Sequence, residues 1–286
     1  MLLLSALFGG CDGSEKPALP VDPVMERYTD AGRAALALER PEQAITQYRR
    51  ALARAYQRDD TAAIGDLGFN LAVAELRAEQ PDNALRTVRE TEAELARRSS
   101  PPVAALTLME AVAAYRSGQP ALADALAARV EDAPDRDAAA RAAFLRGLIA
   151  DDTGNAAGLR AALERLAHAQ GPESEADTAE LSARMSLRDG DTSRARTQAE
   201  RAAELRRDLL DYRALARCLA LAGKAAAQAG DSGAASRLYL RAGHSAAEQG
   251  DKPAATNWLN QAIALSRDPQ LTQAARDALG ALRDSN

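Results

Sequence analysis

The chain has 286 residues, 47% hydrophobic and 27% charged, with a net charge of −5 and a pI near 5.3. That length suits one elongated domain or two compact ones, and the acidic balance argues against a nucleic-acid binder, which would carry a basic face. Aromatic residues are only 3% and alanine supplies much of the apolar content, so closely packed helices are expected and a strand-based fold is not. Among the basic residues only Lys16, Lys224 and Lys252 are lysines. The two cysteines, Cys11 and Cys218, cannot build a disulfide framework.

The chain opens Met1-Leu2-Leu3-Leu4-Ser5-Ala6-Leu7-Phe8-Gly9-Gly10-Cys11. This apolar run is shorter than the roughly 20 residues that cross a bilayer, but it suits the apolar core of a secretory signal. It resembles the bacterial lipobox, in which small residues precede a cysteine that is lipidated on sulfur and becomes the mature N-terminus. Two features depart from that pattern: no Lys or Arg precedes the run, and Phe8 stands where leucine is usual. The resemblance implies a signal peptide over 1–10, lipidation of Cys11, a tether over 11–22 and a mature protein facing the periplasm in the cell envelope. Asp12, directly after the cysteine, favours the inner membrane; the outer membrane stays open. The segment Asp12-Gly13-Ser14-Glu15-Lys16-Pro17 is polar and turn-rich, as a tether should be.

Residues 23–286 read as one helical array with internal repeats. Ala31 to Ile45 aligns without a gap on Leu71 to Leu85, 40 residues later, and both carry Glu-x-Pro before an alanine. A third copy runs from Ala113 through Gly118-Gln119-Pro120 to Ala123. Later turns read Asp189-Gly190-Asp191, Ala229-Gly230-Asp231 and Gln249-Gly250-Asp251. Glycine can take the left-handed conformation that closes a helix. Proline suits the first turn of the next helix, and aspartate can cap it. Further helix starts are expected at Asp22-Pro23, Ser100-Pro101 and Asp268-Pro269.

Tyr28, Ala31, Gly32, Ala35, Ala44, Tyr48 and Ala51 fall at one characteristic spacing, and Leu219, Ala222, Gly223, Ala226, Gly230, Ala235, Tyr239 and Ala242 repeat it. These residues resemble the tetratricopeptide repeat (TPR), over about residues 25–270. The resemblance implies an all-α solenoid, a right-handed superhelix of antiparallel helix pairs that bury their apolar faces by stacking. Residues 133–205 match the pattern poorly. A capping helix is expected over 270–283. The 40-residue spacing exceeds the family's usual 34, so helices or linkers should be longer.

Chemistry-bearing patterns are sparse, and no catalytic residue, cofactor or metal ligand set is expected. His168 and His244 lie far apart and outside any metal spacing; His168 reads as solvated. Cys218 sits among Leu and Ala and reads as a small buried hydrophobe. Glu173-Ser174 has the order found in some peptidoglycan-cutting enzymes, but it reads as part of a polar loop and the rest of that domain has no counterpart. Trp258 is expected to pack between the last helices.

In TPR proteins the first helix of each pair lines a concave groove for a protein or peptide. Mapped here, that resemblance gives Arg33, Leu36, Phe69, Val73, Arg77, Leu108, Tyr115, Arg116, Arg184, Arg188, Arg217 and Lys224. The recurring arginines suggest a groove for carboxylates, diluted by Glu26, Asp66, Asp151, Asp177 and Glu180 at equivalent positions. The expected role is a lipid-anchored envelope scaffold for secretion, pilus or cell-wall assembly. A cytoplasmic peptide sensor is the alternative, and a peptidoglycan-acting enzyme the weakest reading. The sequence leaves partner identity and oligomeric state open.

Overall fold

A computed structural model describes residues 19–284. The expected signal peptide, the lipidation site Cys11 and Asp12 lie outside these residues. The described residues form fourteen α-helices and no strand. The first four are α1 (Pro23–Ala37), α2 (Pro41–Gln57), α3 (Thr61–Arg77) and α4 (Pro81–Arg97). Next come α5 (Ala104–Arg116), α6 (Pro120–Val130), α7 (Arg136–Asp152), α8 (Ala156–Leu166) and α9 (Pro172–Arg188). The series ends with α10 (Thr192–Asp208), α11 (Tyr212–Gln228), α12 (Ser232–Glu248), α13 (Lys252–Leu265) and α14 (Pro269–Asp284). Each helix packs on the next, which makes seven antiparallel pairs.

Turn chemistry sets the boundaries. Asp60, Asp135, Asp191, Asp211, Asp231 and Asp251 each accept a backbone N–H at a helix start. Pro41, Pro81 and Pro120 open their helices where no side chain caps them. One closing bond recurs between paired helices: Arg40 N to Ala35 O at 2.9 Å, Gln80 N to Glu75 O at 2.9 Å and Asp231 N to Ala226 O at 3.0 Å. This is the Schellman closure, which requires a left-handed residue just before the donor. Gly190, Gly230 and Gly250 supply it late in the chain, whereas Glu39 and Glu79 hold it at φ +52° and +57°. Glycine is therefore favoured there without being obligatory.

Two local expectations need correction. Helix α5 starts at Ala104, not at Ser100-Pro101, because Pro101 and Pro102 push the residue before each of them out of the helical region. Glu173-Ser174 lies in the first turn of α9, with Ser174 buried, and not in a loop. The poorly matching stretch 133–205 holds the regular helices α7 and α9 and most of α10, each of 17 residues. Helices of that length also explain a repeat longer than 34.

Pairs cross where one side chain is missing. A Cβ on Gly32 would lie 2.7 Å from the Tyr48 ring, and one on Gly243 would lie 2.6 Å from Leu259. The core is a seam rich in alanine, from Ala35 to Ala275, divided into three clusters. Trp258 packs half-buried against the terminal part of that seam.

Candidate functional site

The first helices form one face of the molecule. Consecutive first helices touch along the row α3, α5, α7, α9 and α11, whereas, among the described residues, α12 and α14 are the only second helices that approach closely. The array therefore curls with its first helices inside.

A cavity of about 530 Å³ opens on that inner row, a size suited to ligand pockets. Phe69 of α3, Leu108, Val112 and Tyr115 of α5 and Phe144 and Leu148 of α7 form its apolar walls. Arg116, Arg141 and Arg217 stand among them, with Asp135 and Asp137 at the start of α7. The cavity thus joins Phe69, Leu108, Tyr115, Arg116 and Arg217 from the residues expected for the groove. Arg33, Leu36, Val73, Arg77, Arg184, Arg188 and Lys224 lie on first helices outside it. Phe144, Val112 and Arg141 were not anticipated. Val112 stands one turn from Leu108 and Arg116 on α5, which is a legible signal. Phe144 sits in the stretch where the repeat pattern fades.

Most of the expected arginines are tied to acids one repeat away. Arg77 reaches Glu39 at 3.5 Å, and Arg116 reaches Glu79 at 2.5 Å and donates to the Leu76 carbonyl at 2.9 Å. Arg188 donates to the Asp151 carbonyl at 3.1 Å and the Gly154 carbonyl at 2.8 Å. Arg184 meets Asp151 at 2.9 Å, and Arg217 grips Glu180 at 2.7 and 2.8 Å. Apart from Arg217, whose partner Glu180 lies midway along α9, these arginines satisfy carbonyls and carboxylates at the ends of the preceding first helices. The row is a charge-paired ladder and not an open basic strip. Arg33 pairs within its own helix with Asp30, and Lys224 is exposed.

Neither a known family model nor a curated protein matches the sequence. Solved structures do. PilW, a widely conserved type IV pilus biogenesis factor, superposes with a TM-score of 0.55 at 18% identity, over 77% of this chain and 93% of its own. A thermophilic TPR protein from Thermus thermophilus superposes with a TM-score of 0.50 at 24% identity, over 71% of this chain and 98% of its own. The fold is that of a tetratricopeptide-repeat solenoid.

Inside this TPR solenoid lies a charge cluster that sequence reading did not foresee. Glu180 is fully buried on α9 and faces Arg217, Arg184 at 3.1 Å and the Cys218 thiol at 3.6 Å. Burial pushes its carboxyl up, but Arg217, Arg184 and Arg206 pull it down further, to about 2. Asp177, one turn earlier, pairs with Arg206 of α10. There burial wins, and its carboxyl is pushed up to about 6. Arg206 also lies over the Phe144 ring at 5.6 Å. Burial, with Glu180 adding to it, raises the Cys218 thiol well above its ordinary value, so the thiolate needed for nucleophilic work is suppressed. His168 and His244 are both exposed. Among the described residues, no group of three His, Cys, Asp or Glu side chains is arranged to hold a metal.

Proposed function

We propose that this TPR solenoid is a protein-binding scaffold without enzymatic activity, and that its inner helix row receives a segment of a partner protein. The observation that carries this reading is the apolar cavity walled by Phe69, Leu108, Tyr115 and Phe144. Half-buried aromatic and aliphatic side chains that converge on a concave face are the groups that anchor protein interfaces. The paired arginines narrow the chemistry: the cavity offers an apolar floor more than a carboxylate clamp.

The scaffold acts in the bacterial envelope, anchored by lipid on Cys11 and facing the periplasm, with the inner membrane favoured by Asp12. The lipobox-like segment Leu7-Phe8-Gly9-Gly10-Cys11 supports this reading, and two or three acyl chains would anchor stably where one alone is marginal. Pilus assembly is among the processes it could serve, since PilW, which shares the fold, is a type IV pilus biogenesis factor.

Affinity purification of the membrane-anchored protein, with partner identification, tests the scaffold reading. A partner that co-purifies with wild type and is lost from Leu108→Glu and Val112→Glu, while both variants keep native helicity, supports it. A partner retained by both variants, or turnover of a small molecule by purified protein, sinks it. Mass spectrometry of the N-terminal peptide tests the anchor separately: an unmodified Cys11 thiol in the membrane fraction would refute it.

A further inference from the structure

Most hydrogen bonds join helices of one repeat or of neighbouring repeats. Among the described residues, those of Arg213 reach much further along the chain. Arg213, in the first turn of α11, donates to Glu79 Oε1 at 2.8 Å and to the Arg77 carbonyl at 3.4 Å. These residues lie 134 and 136 positions apart. The turn after α3 therefore meets the start of α11, with three first helices between them in the row. Among the described residues, α3 and α11 are not one of the closely packed helix pairs. The Arg213 guanidinium makes the junction, through one carboxylate and one backbone carbonyl.

The junction is built from both sides. Glu79 spends its other oxygen on Arg116, which holds its carboxylate toward the inner face. Glu79 also occupies the left-handed turn position at φ +57°, where glycine would relieve strain and supply no carboxylate. On the opposite side, Arg213 donates to the Gln249 carbonyl at 3.4 Å. Gln249 in turn donates to the Tyr212 carbonyl at 3.0 Å. The guanidinium is thus steadied from its own repeat, by the residue that ends α12.

We propose that the Glu79–Arg213 bridge is a reversible clasp, which closes the inner helix row into a ring and sets the width of the mouth over the apolar cavity. The cavity is walled by helices on both sides of the junction, α3, α5 and α7 against Arg217 of α11, so parting the junction widens it. A bridge of this kind is a weak latch. A partly exposed ion pair shifts an equilibrium only several-fold and is screened by salt. That suits a contact that must hold the empty ring closed and yield when a bulky segment enters. This inference concerns the ring's own equilibrium and stands whether or not a protein partner exists.

Pulsed electron resonance between nitroxides at Asp82→Cys and Leu210→Cys, both exposed positions beside the junction, tests it in the full chain carrying Cys11→Ser. At low salt the clasp predicts one short, narrow distance. Raising salt to about 1 M, or introducing Arg213→Glu, should add a longer population, growing several-fold. Arg213→Lys, which keeps the charge, should stay close to wild type at low salt. Binding of the apolar fluorophore anilinonaphthalene sulfonate should rise in Arg213→Glu, with helicity unchanged. A distance distribution identical in wild type and Arg213→Glu from low to high salt overturns the clasp. So does a long distance in wild type at low salt.

Discussion

The buried Glu180–Arg217 pair gives the sharpest test of how the solenoid is held together. In Glu180→Gln the shape is kept, but Arg217 loses a carboxylate at 2.7 and 2.8 Å and Arg184 loses one at 3.1 Å. Removing one partner of a buried ion pair costs about 3–5 kcal/mol. Two features soften that here. The Arg217 side chain is 36% exposed, and Arg184 keeps Asp151 at 2.9 Å. A loss of about 2–3 kcal/mol is therefore expected, which lowers the melting temperature by about 4–12 °C at this size. Circular dichroism melts at pH 7 read the total. Solenoids unfold in local units, so hydrogen exchange should also accelerate in α9 and α11 before α1 and α2. Removing both charges in Glu180→Gln/Arg217→Met should recover part of the loss, because no uncompensated charge then faces the pair. A single variant that melts within about 1 °C of wild type, near the usual scatter for surface changes, refutes the reasoning.

Other outcomes follow from the same geometry. Glu180, with its folded-state carboxyl near 2 against an ordinary 4.5, stabilises fully above about 4.5 and loses its contribution as pH falls toward 2. Asp177 has the opposite sign: raised to about 6 from 3.8, it favours the fold increasingly as pH falls from 6 to 3.8. Wild-type stability should therefore rise as pH falls from about 6 to 4.5, hold nearly level to 3.8 where the two contributions offset, and fall below that, and urea titrations of Asp177→Asn should lack the rise. Gly32→Ala, which drives a methyl into the Tyr48 ring at 2.7 Å, should cost roughly 1–3 kcal/mol in the same assay. Gly280→Ala, within α14 and with no neighbour inside 4 Å, should gain about 0.5–1 kcal/mol. Cys218, fully buried with a raised thiol pKa, should resist a thiol-disulfide reagent in the native protein and react at once in guanidinium.

The fold was legible because its signals are local. Pro41, Pro81 and Pro120 open helices, and Gly230-Asp231 closes one helix and caps the next, through bonds spanning at most five residues. Ser100-Pro101 misled because two consecutive prolines extend the chain beyond a single-proline start. Between residues 133 and 205 the crossing residues change character: Gly147 meets Leu181 and Ala162 instead of a tyrosine, so the pattern fades while the packing persists. The inner face was legible in part. Phe69, Leu108 and Tyr115 occupy recognisable first-helix positions, but Phe144 is recruited from α7 by a curvature that no short window of sequence encodes.

The arginines show where reading by residue type runs out. Counted along the chain, they look like a cationic groove. Their partners stand one superhelical step away: Glu39 lies 38 residues before Arg77, and Glu79, Asp151 and Glu180 lie 37 before Arg116, Arg188 and Arg217. An arginine that satisfies the preceding helix end cannot give the same hydrogen bonds to a ligand without uncovering that end. Recognition through these cations would therefore have to break the contacts that set the stacking of repeats. The apolar walls carry no such conflict, because Phe69, Leu108, Tyr115 and Phe144 bury further surface when a partner covers them. Charge along this row is thus spent within the solenoid, and its apolar surface is left open.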